Sequence, residues 1–199
     1  MSILLLGGSP AATSSTGRLL DHVGEKLALH GHRYSKLQVR DLPPQALLHA
    51  DTSDLAIKRA QAAVAAADAV VIATPVYKAS FTGILKAFLD LLPQDGLAGK
   101  LVLPLATGGS QSHMLALDYA LRPVLHALDA RHVLTSVYAT SRQLVWVEGS
   151  GLALDQAISW RVQAGVEALS AGLNALSGRI GGSYVVPAEP VRLASQVNL

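Results

Sequence analysis

The sequence predicts an α/β fold: a three-layer sandwich with a five-stranded parallel sheet in the order 2-1-3-4-5 and helices on both faces. Two observations predict it. Short apolar runs, Ile3 to Leu6, Tyr34 to Val39, Ala69 to Thr74, Leu101 to Thr107 and Val133 to Ala139, alternate with segments of helical periodicity, the pattern of a doubly wound chain. Several runs are also apolar without a break, as in Val70-Val71-Ile72 and Leu101-Val102-Leu103, which suits strands covered on both faces rather than strands with one wet face.

Ile3 to Leu6 open the chain as a buried strand, since MSILLLGGSP lacks the basic n-region and small-residue cleavage site of a signal peptide. The first helix begins near Gly17, sets Leu20, Val23 and Leu27 on one face and ends at Gly31, a C′ glycine. An Ala-rich second helix covers Leu55 to Ala67. The third, Gly83 to Leu92, carries Ile84, Leu85, Phe88, Leu89 and Leu92 and stops at Pro93. The fourth runs from Ser112 to Leu128 and contains Pro123. Proline has no N–H and its ring crowds the carbonyl four residues back, here that of Tyr119, so the helix must kink or widen there. A π-bulge and a plain proline kink would each relieve the conflict. The fifth helix runs from Asp155 to about Leu176. One domain, 1–177, is expected, followed by a Gly- and Pro-containing tail, 178–199.

Composition narrows the function. No cysteine is present among the 199 residues, which excludes disulfides, thiolate metal sites and thiol redox chemistry, so any electrons must sit on a cofactor. The net charge of +2 and a pI near 9.0 come without a Lys/Arg run, and no nucleic-acid partner is expected. Mean hydropathy is +0.35, yet no run approaches the roughly 20 apolar residues of a membrane span; the expected compartment is the cytoplasm. His22, His30, His32, His49, His126 and His132 read as surface or packing residues, and His30-Gly31-His32 lacks the carboxylates of a metal site.

Ligands of an open parallel sheet bind outside the carboxyl ends of its strands, so the loops after strands one, three and four are the ones to read. The first, Gly7 to Gly17, is dense in hydroxyls and enters a helix: Ser9, Ser14, Ser15 and Thr16 beside unpaired N–H groups suit a phosphate monoester. It carries neither G-x-G-x-x-G nor a Walker lysine, and an ordinary polar loop with N-cap candidates Ser14, Ser15 and Thr16 is the other reading. The second places Pro75, Val76, Tyr77 and Lys78 at a strand end, a flat wall with backbone amides beside it, or else a core-packing tyrosine. The third, Thr107-Gly108-Gly109-Ser110 with Gln111 and His113, lets a backbone approach a ligand closely.

Three stretches, GGSP at Gly7 to Pro10, ATPVYKASFTGILKAFLDLLP at Ala73 to Pro93 and LPLATGGSQSHMLALDYALRPVLHAL at Leu103 to Leu128, resemble the NADPH-dependent FMN reductase family. The likeness is nearest to the reductase component of two-component alkanesulfonate monooxygenase systems. It implies a flavodoxin-like subunit, assembled as a dimer of dimers, that reduces dissociable FMN with NADPH and passes it to a flavin-dependent monooxygenase in sulfonate metabolism. By the same resemblance Ser9, Ser14, Ser15 and Thr16 face the phosphate, and Pro75, Val76, Tyr77 and Lys78 flank the flavin ring. Thr107, Gly108, Gly109 and Ser110 border its other edge, and Tyr119 lies in a widened helical turn at a subunit interface. The family often has arginine directly after GSP; here Ala11 stands in its place, which implies a lower phosphate affinity unless Arg18 reaches the site instead. Hydride passes between the cofactors themselves, so no catalytic acid or base is nominated. Two other readings keep the fold: a quinone, azo or chromate reductase with bound FMN, and a flavodoxin-type electron carrier, which the basic pI argues against.

Overall fold

The computed structural model describes residues 1–149 and 151–180. Strands β1 (Ser2–Gly7), β2 (Arg33–Gln38), β3 (Ala69–Pro75) and β4 (Leu101–Gly108) pair in parallel in the order β2-β1-β3-β4. β5 (His132–Val133) and β6 (Val137–Thr140) both follow beside β4. This is the expected 2-1-3-4-5 sheet of a flavodoxin-like three-layer sandwich. β3 and β4 are buried along their whole length, as uninterrupted apolar runs require, while edge strand β2 is exposed over most of its length.

The fifth strand differs from the single run expected over Val133 to Ala139. It is split, and the register shows why. Val102 pairs with Val133 and Leu105 with Val137, so one extra residue stands opposite Leu103 and Pro104. The Leu134 N–H donates to the Val102 carbonyl at 2.8 Å, so Val102 and, two residues on, Pro104 present their backbone to this side. Pro104 has no N–H to donate, and the neighbouring strand bulges away from that missing bond. Ser136, in the bulge, has the buried side-chain oxygen that finds no partner among the described residues.

Helices α1 (Ser15–Leu29) and α6 (Gln156–Ile180) cover one face, where Leu19, Leu20, Val23, Ile158, Val162 and Leu169 pack on Leu5, Val71 and Leu103. The other face is covered by α2 (Pro44–Leu48), α3 (Leu55–Ala66), α4 (Gly83–Leu89) and α5 (Arg122–Ala127), with Ile57, Phe88 and Leu125 on Leu6, Ile72 and Val102. α1 closes as the sequence predicts. Gly31 at φ +82° bonds Ala28 and the His32 N–H bonds Leu27, both bonds of a Schellman cap.

The expected fourth helix is not one helix. A 3₁₀ turn at Gln111–His113 leads to a π-helix at Leu117–Leu121, and only then does α5 begin. The Arg122 N–H reaches back five residues to the Leu117 carbonyl, and Pro123 falls in the first turn of α5, where a missing N–H costs nothing. The widened turn at Tyr119 is therefore present. A hairpin of β7 (Leu144–Val147) and β8 (Gly151–Leu154) precedes α6; it was not expected. α6 extends to Ile180, past the expected domain end at Ser177, and the rest of the expected tail, 181–199, lies outside the described residues. No helix among the described residues is long and apolar enough to cross a membrane.

Candidate functional site

The three loops meet at the carboxyl ends of β1, β3 and β4 and are tied together by bonds that span most of the domain. The Gly8 N–H donates to the Ala73 carbonyl at 2.7 Å and the Val76 N–H to the Thr107 carbonyl at 2.8 Å. The Thr82 hydroxyl donates to the Gly8 carbonyl at 2.6 Å and accepts from the Leu85 N–H as the N-cap of α4. Gly8 permits this approach, because a Cβ there would come within 2.9 Å of Leu85.

These ties sort the expected phosphate ligands. Ser14 is the N-cap of α1, accepting from the Gly17 N–H at 3.0 Å. Ser14 and Ser15 are half-exposed at the mouth of the helix, where the first-turn amides of Ser15 and Thr16 have no helical acceptor. Thr16 points elsewhere. It is 1% exposed and its hydroxyl bonds that of Thr107, itself buried. Ser9 is likewise buried, its hydroxyl accepting from the Ala11 N–H at 3.3 Å within the loop. Of the four expected phosphate ligands, Ser14 and Ser15 are thus open to solvent at the start of α1, while Ser9 and Thr16 are buried and bonded within the protein.

On the ring-wall side Pro75 and Val76 are buried and Tyr77 is 53% exposed, which excludes the core-packing reading of Tyr77. Tyr77 and Ser80 exchange backbone bonds of 2.9 and 3.1 Å around Lys78 and Ala79, whose φ angles are +50° and +63°. Two left-handed residues between a bonded pair make a tight turn of the kind that favours Asn-Gly, here built from Lys-Ala at about 1–2 kcal/mol of strain per residue. Strain of this sort concentrates at ligand sites, and Tyr77, Lys78 and Ala79 are all exposed.

Across the cleft, the absence of a Cβ at Gly108 is used by the protein itself. The Tyr138 hydroxyl fills that space and donates to the Ser110 carbonyl at 2.5 Å, and burial pushes its pKa up. Gly109 has nothing within 4 Å of its Cβ position and is open to a ligand. Ser110 caps the 3₁₀ turn that carries exposed His113. Tyr119, 79% exposed, lies on the π-helix with exposed Met114 and Leu115 just before it. A cleft of about 690 Å³ on the far side, between the π-helix and α6, is lined by Leu117, Asp118, Arg122, Ser136 and Arg161. It borders the site through Gln111, Met114 and Tyr138.

Residues 1–144 match the family model described as NADPH-dependent FMN reductase. The chain belongs to that family. The reductase is 45% identical over 174 residues to an FMN reductase (NADPH) of Pseudomonas putida, covering 87% of this chain and 88% of the relative. It is 43% identical to an FMN reductase (NADPH) of Escherichia coli, covering 73% and 76%. Among solved structures it resembles the apo form of the NADH:FMN oxidoreductase EMOB, with a TM-score of 0.79, 41% identity and coverage of 86% and 89%.

Residues at the site that were not nominated from the sequence are Thr82, Gln38, Arg40 and Tyr138. Thr82 stood in view as a threonine just ahead of a helix, the N-cap signature. Arg40 follows β2, outside the loops after β1, β3 and β4 where the sheet's topology predicts a ligand. Arg18 does not take the place left by Ala11: its guanidinium carbon stacks 4.3 Å from the ring centre of Trp146 on the hairpin.

Proposed function

We propose that this reductase uses NADPH to reduce FMN that binds and leaves as a substrate, delivering it to a flavin-dependent monooxygenase such as a sulfonate-cleaving one. Family membership supports the reductase half of this reading. The observation that carries the site is the meeting of a hydroxyl-and-amide cradle at the start of α1, the exposed Tyr77 turn and open Gly109 at adjacent strand ends. Their residue types fit the phosphate, one face and one edge of FMN. When bound, FMN supplies the redox chemistry by accepting a hydride from NADPH. The protein's part is to hold and orient: Ser14, Ser15 and the amides of the α1 terminus grip the anion, and Tyr77 with Pro75 and Val76 forms the apolar wall. Tyr138 locks the Ser110 turn by donating its hydroxyl to the Ser110 carbonyl.

Release rather than permanent retention is supported by the exposure of Tyr77 and Gly109, which leaves the ring side of the cleft open within one subunit. Assembly into a dimer of dimers through the π-helix belongs to the same proposal, supported by the exposed apolar group Tyr119, Met114 and Leu115. The proposed setting is the cytoplasm. The test is NADPH oxidation by purified protein as FMN is varied. Saturable dependence on added FMN is expected; a rate independent of added FMN, with flavin co-purifying, would instead favour a quinone, azo or chromate reductase.

A further inference from the structure

We propose that Arg40 is the cation of the phosphate subsite, reaching it from the end of β2 rather than from the phosphate loop itself; this rests on the FMN reading of that loop. The loop from Gly7 to Gly17 contains no lysine or arginine. Arg18, next along the chain, is committed to the face of Trp146. Arg40 comes from the short turn after β2, and its Nη1 donates to the Ala11 carbonyl, inside the loop, at 3.3 Å.

The guanidinium is held in place by a specific arrangement. Nη1 also donates to Gln38 Oε1 at 3.1 Å. Gln38 is 8% exposed and is the cross-strand partner of Gly7, and its amide lies so close to Gly7 that a Cβ there would sit 2.1 Å from Oε1. Gly7, Gln38, Arg40 and Ala11 therefore form one tie from the sheet to the loop. The remaining contact is Nε to Asp41 Oδ1 at 3.5 Å. That carboxylate is 68% exposed, and an ion pair so open to water neutralises little. The positive charge stays available to an anion in the cradle, and the bond to Ala11 fixes the peptide that borders it.

The hydroxyl-and-amide cradle supplies directional donors but no net charge, whereas a phosphate monoester is close to a dianion at neutral pH. Arg40 supplies that charge, and with it the preference for FMN over riboflavin, whose ring is the same and which lacks the phosphate. Arg40 is a binding and positioning residue and takes no part in hydride transfer.

The experiment is fluorescence-quenching titration of FMN and of riboflavin at two ionic strengths, with the full-length wild type, Arg40→Gln, Arg40→Lys and the double variant Arg40→Gln/Ala11→Arg. A charge-assisted contact implies that Arg40→Gln weakens FMN by roughly tenfold or more, leaves riboflavin within about twofold and flattens the salt dependence of FMN binding. Arg40→Lys keeps most of the FMN preference, and the double variant regains part of it. If the wild type binds both flavins equally, the phosphate reading of the loop fails, and this inference with it. If the wild type discriminates but Arg40→Gln discriminates as well as it does, Arg40 is not the cation and the loop reading survives. Equal weakening of both flavins would make Arg40 a purely structural clamp and overturn the proposal. Should Arg40→Gln fold poorly, Arg40→Met replaces it in the same comparison, and the salt dependence of the wild type stands by itself: FMN binding that weakens with salt while riboflavin binding does not supports a cation at the subsite, and equal salt dependence opposes it. Recovery of FMN preference by an arginine at position 11 supports the assignment, and no recovery opposes it.

Discussion

Thr16 and Thr107 allow the sharpest test of how this site is built, because one of them looks like a phosphate ligand in the sequence and is not placed as one. Both are buried, and their hydroxyls bond each other across 91 positions of sequence. Thr16→Val keeps the shape and leaves the Thr107 hydroxyl without a partner in a site closed to water. Stranding one buried polar group costs about 1–3 kcal/mol, whereas replacing both partners by apolar groups of the same shape is nearly neutral. Thr16→Val and Thr107→Val should thus each destabilise by about 1–3 kcal/mol, and the double variant by less than about 1 kcal/mol. The coupling energy, the two single losses together less the loss of the double variant, is then roughly 1–6 kcal/mol. In a chain of this size each kcal/mol moves the melting temperature by about 2–4 °C, so the singles should melt visibly below the double variant. The assay is chemical denaturation of the four proteins, followed by titration of FMN and riboflavin. Because Thr16 faces Thr107, Thr16→Val should leave the FMN-to-riboflavin affinity ratio where it is in the wild type. Additive destabilisation, or a selective loss of FMN binding in Thr16→Val, would refute this arrangement and return Thr16 to the phosphate.

Ala79 sits at φ +63°, so Ala79→Gly should raise stability by roughly 0.5–1 kcal/mol in urea denaturation; a loss of stability would mean that the turn is not left-handed there. Tyr77→Ala should weaken FMN and riboflavin to a similar degree in isothermal titration, and an unchanged affinity for both would remove Tyr77 from the ring wall. Deleting Tyr119 should let the Leu117–Leu121 turn wind as regular α-helix up to Pro123 and lower the assembly mass in light scattering. An unchanged mass together with an unchanged FMN-dependent rate would detach the π-helix from assembly and turnover. Burial, helped by Lys26 and opposed by Glu25, lowers the pKa of His22; burial, then His30, lowers that of His32. Both groups are depressed, so as pH falls below about 6.5 the unfolded chain takes up protons first, and stability present above that pH is lost through the window below it. Melting temperature should fall between pH 7.5 and 5.5, and less steeply in His32→Gln, which keeps a partner for the Ser170 hydroxyl; a flat profile would contradict the shifts.

Much of this reductase was legible in the sequence because it is written in local pattern. Uninterrupted apolar runs announced β1, β3 and β4, Gly31 announced the end of α1, and Pro123 announced the widened turn at Tyr119, each through chemistry acting within a few residues of itself. Pro104 carried the signal for the split fifth strand, though its effect falls on a neighbour some thirty residues away and depends on which side its backbone faces. Only the tertiary structure decided which hydroxyls stay open and which are buried. Ser14 and Thr16 stand two positions apart in the same loop, yet the first is half-exposed and caps α1 while the second is buried and taken up by Thr107. Likewise Gly108 makes room for Tyr138 while Gly109 stays open, and Arg40 crosses from β2 to Ala11 while the nearer Arg18 turns to Trp146. A side chain's propensity is set by its own neighbours in the chain, but its partner is set by whatever the packing of the sheet brings within about 3 Å, and no local pattern encodes that.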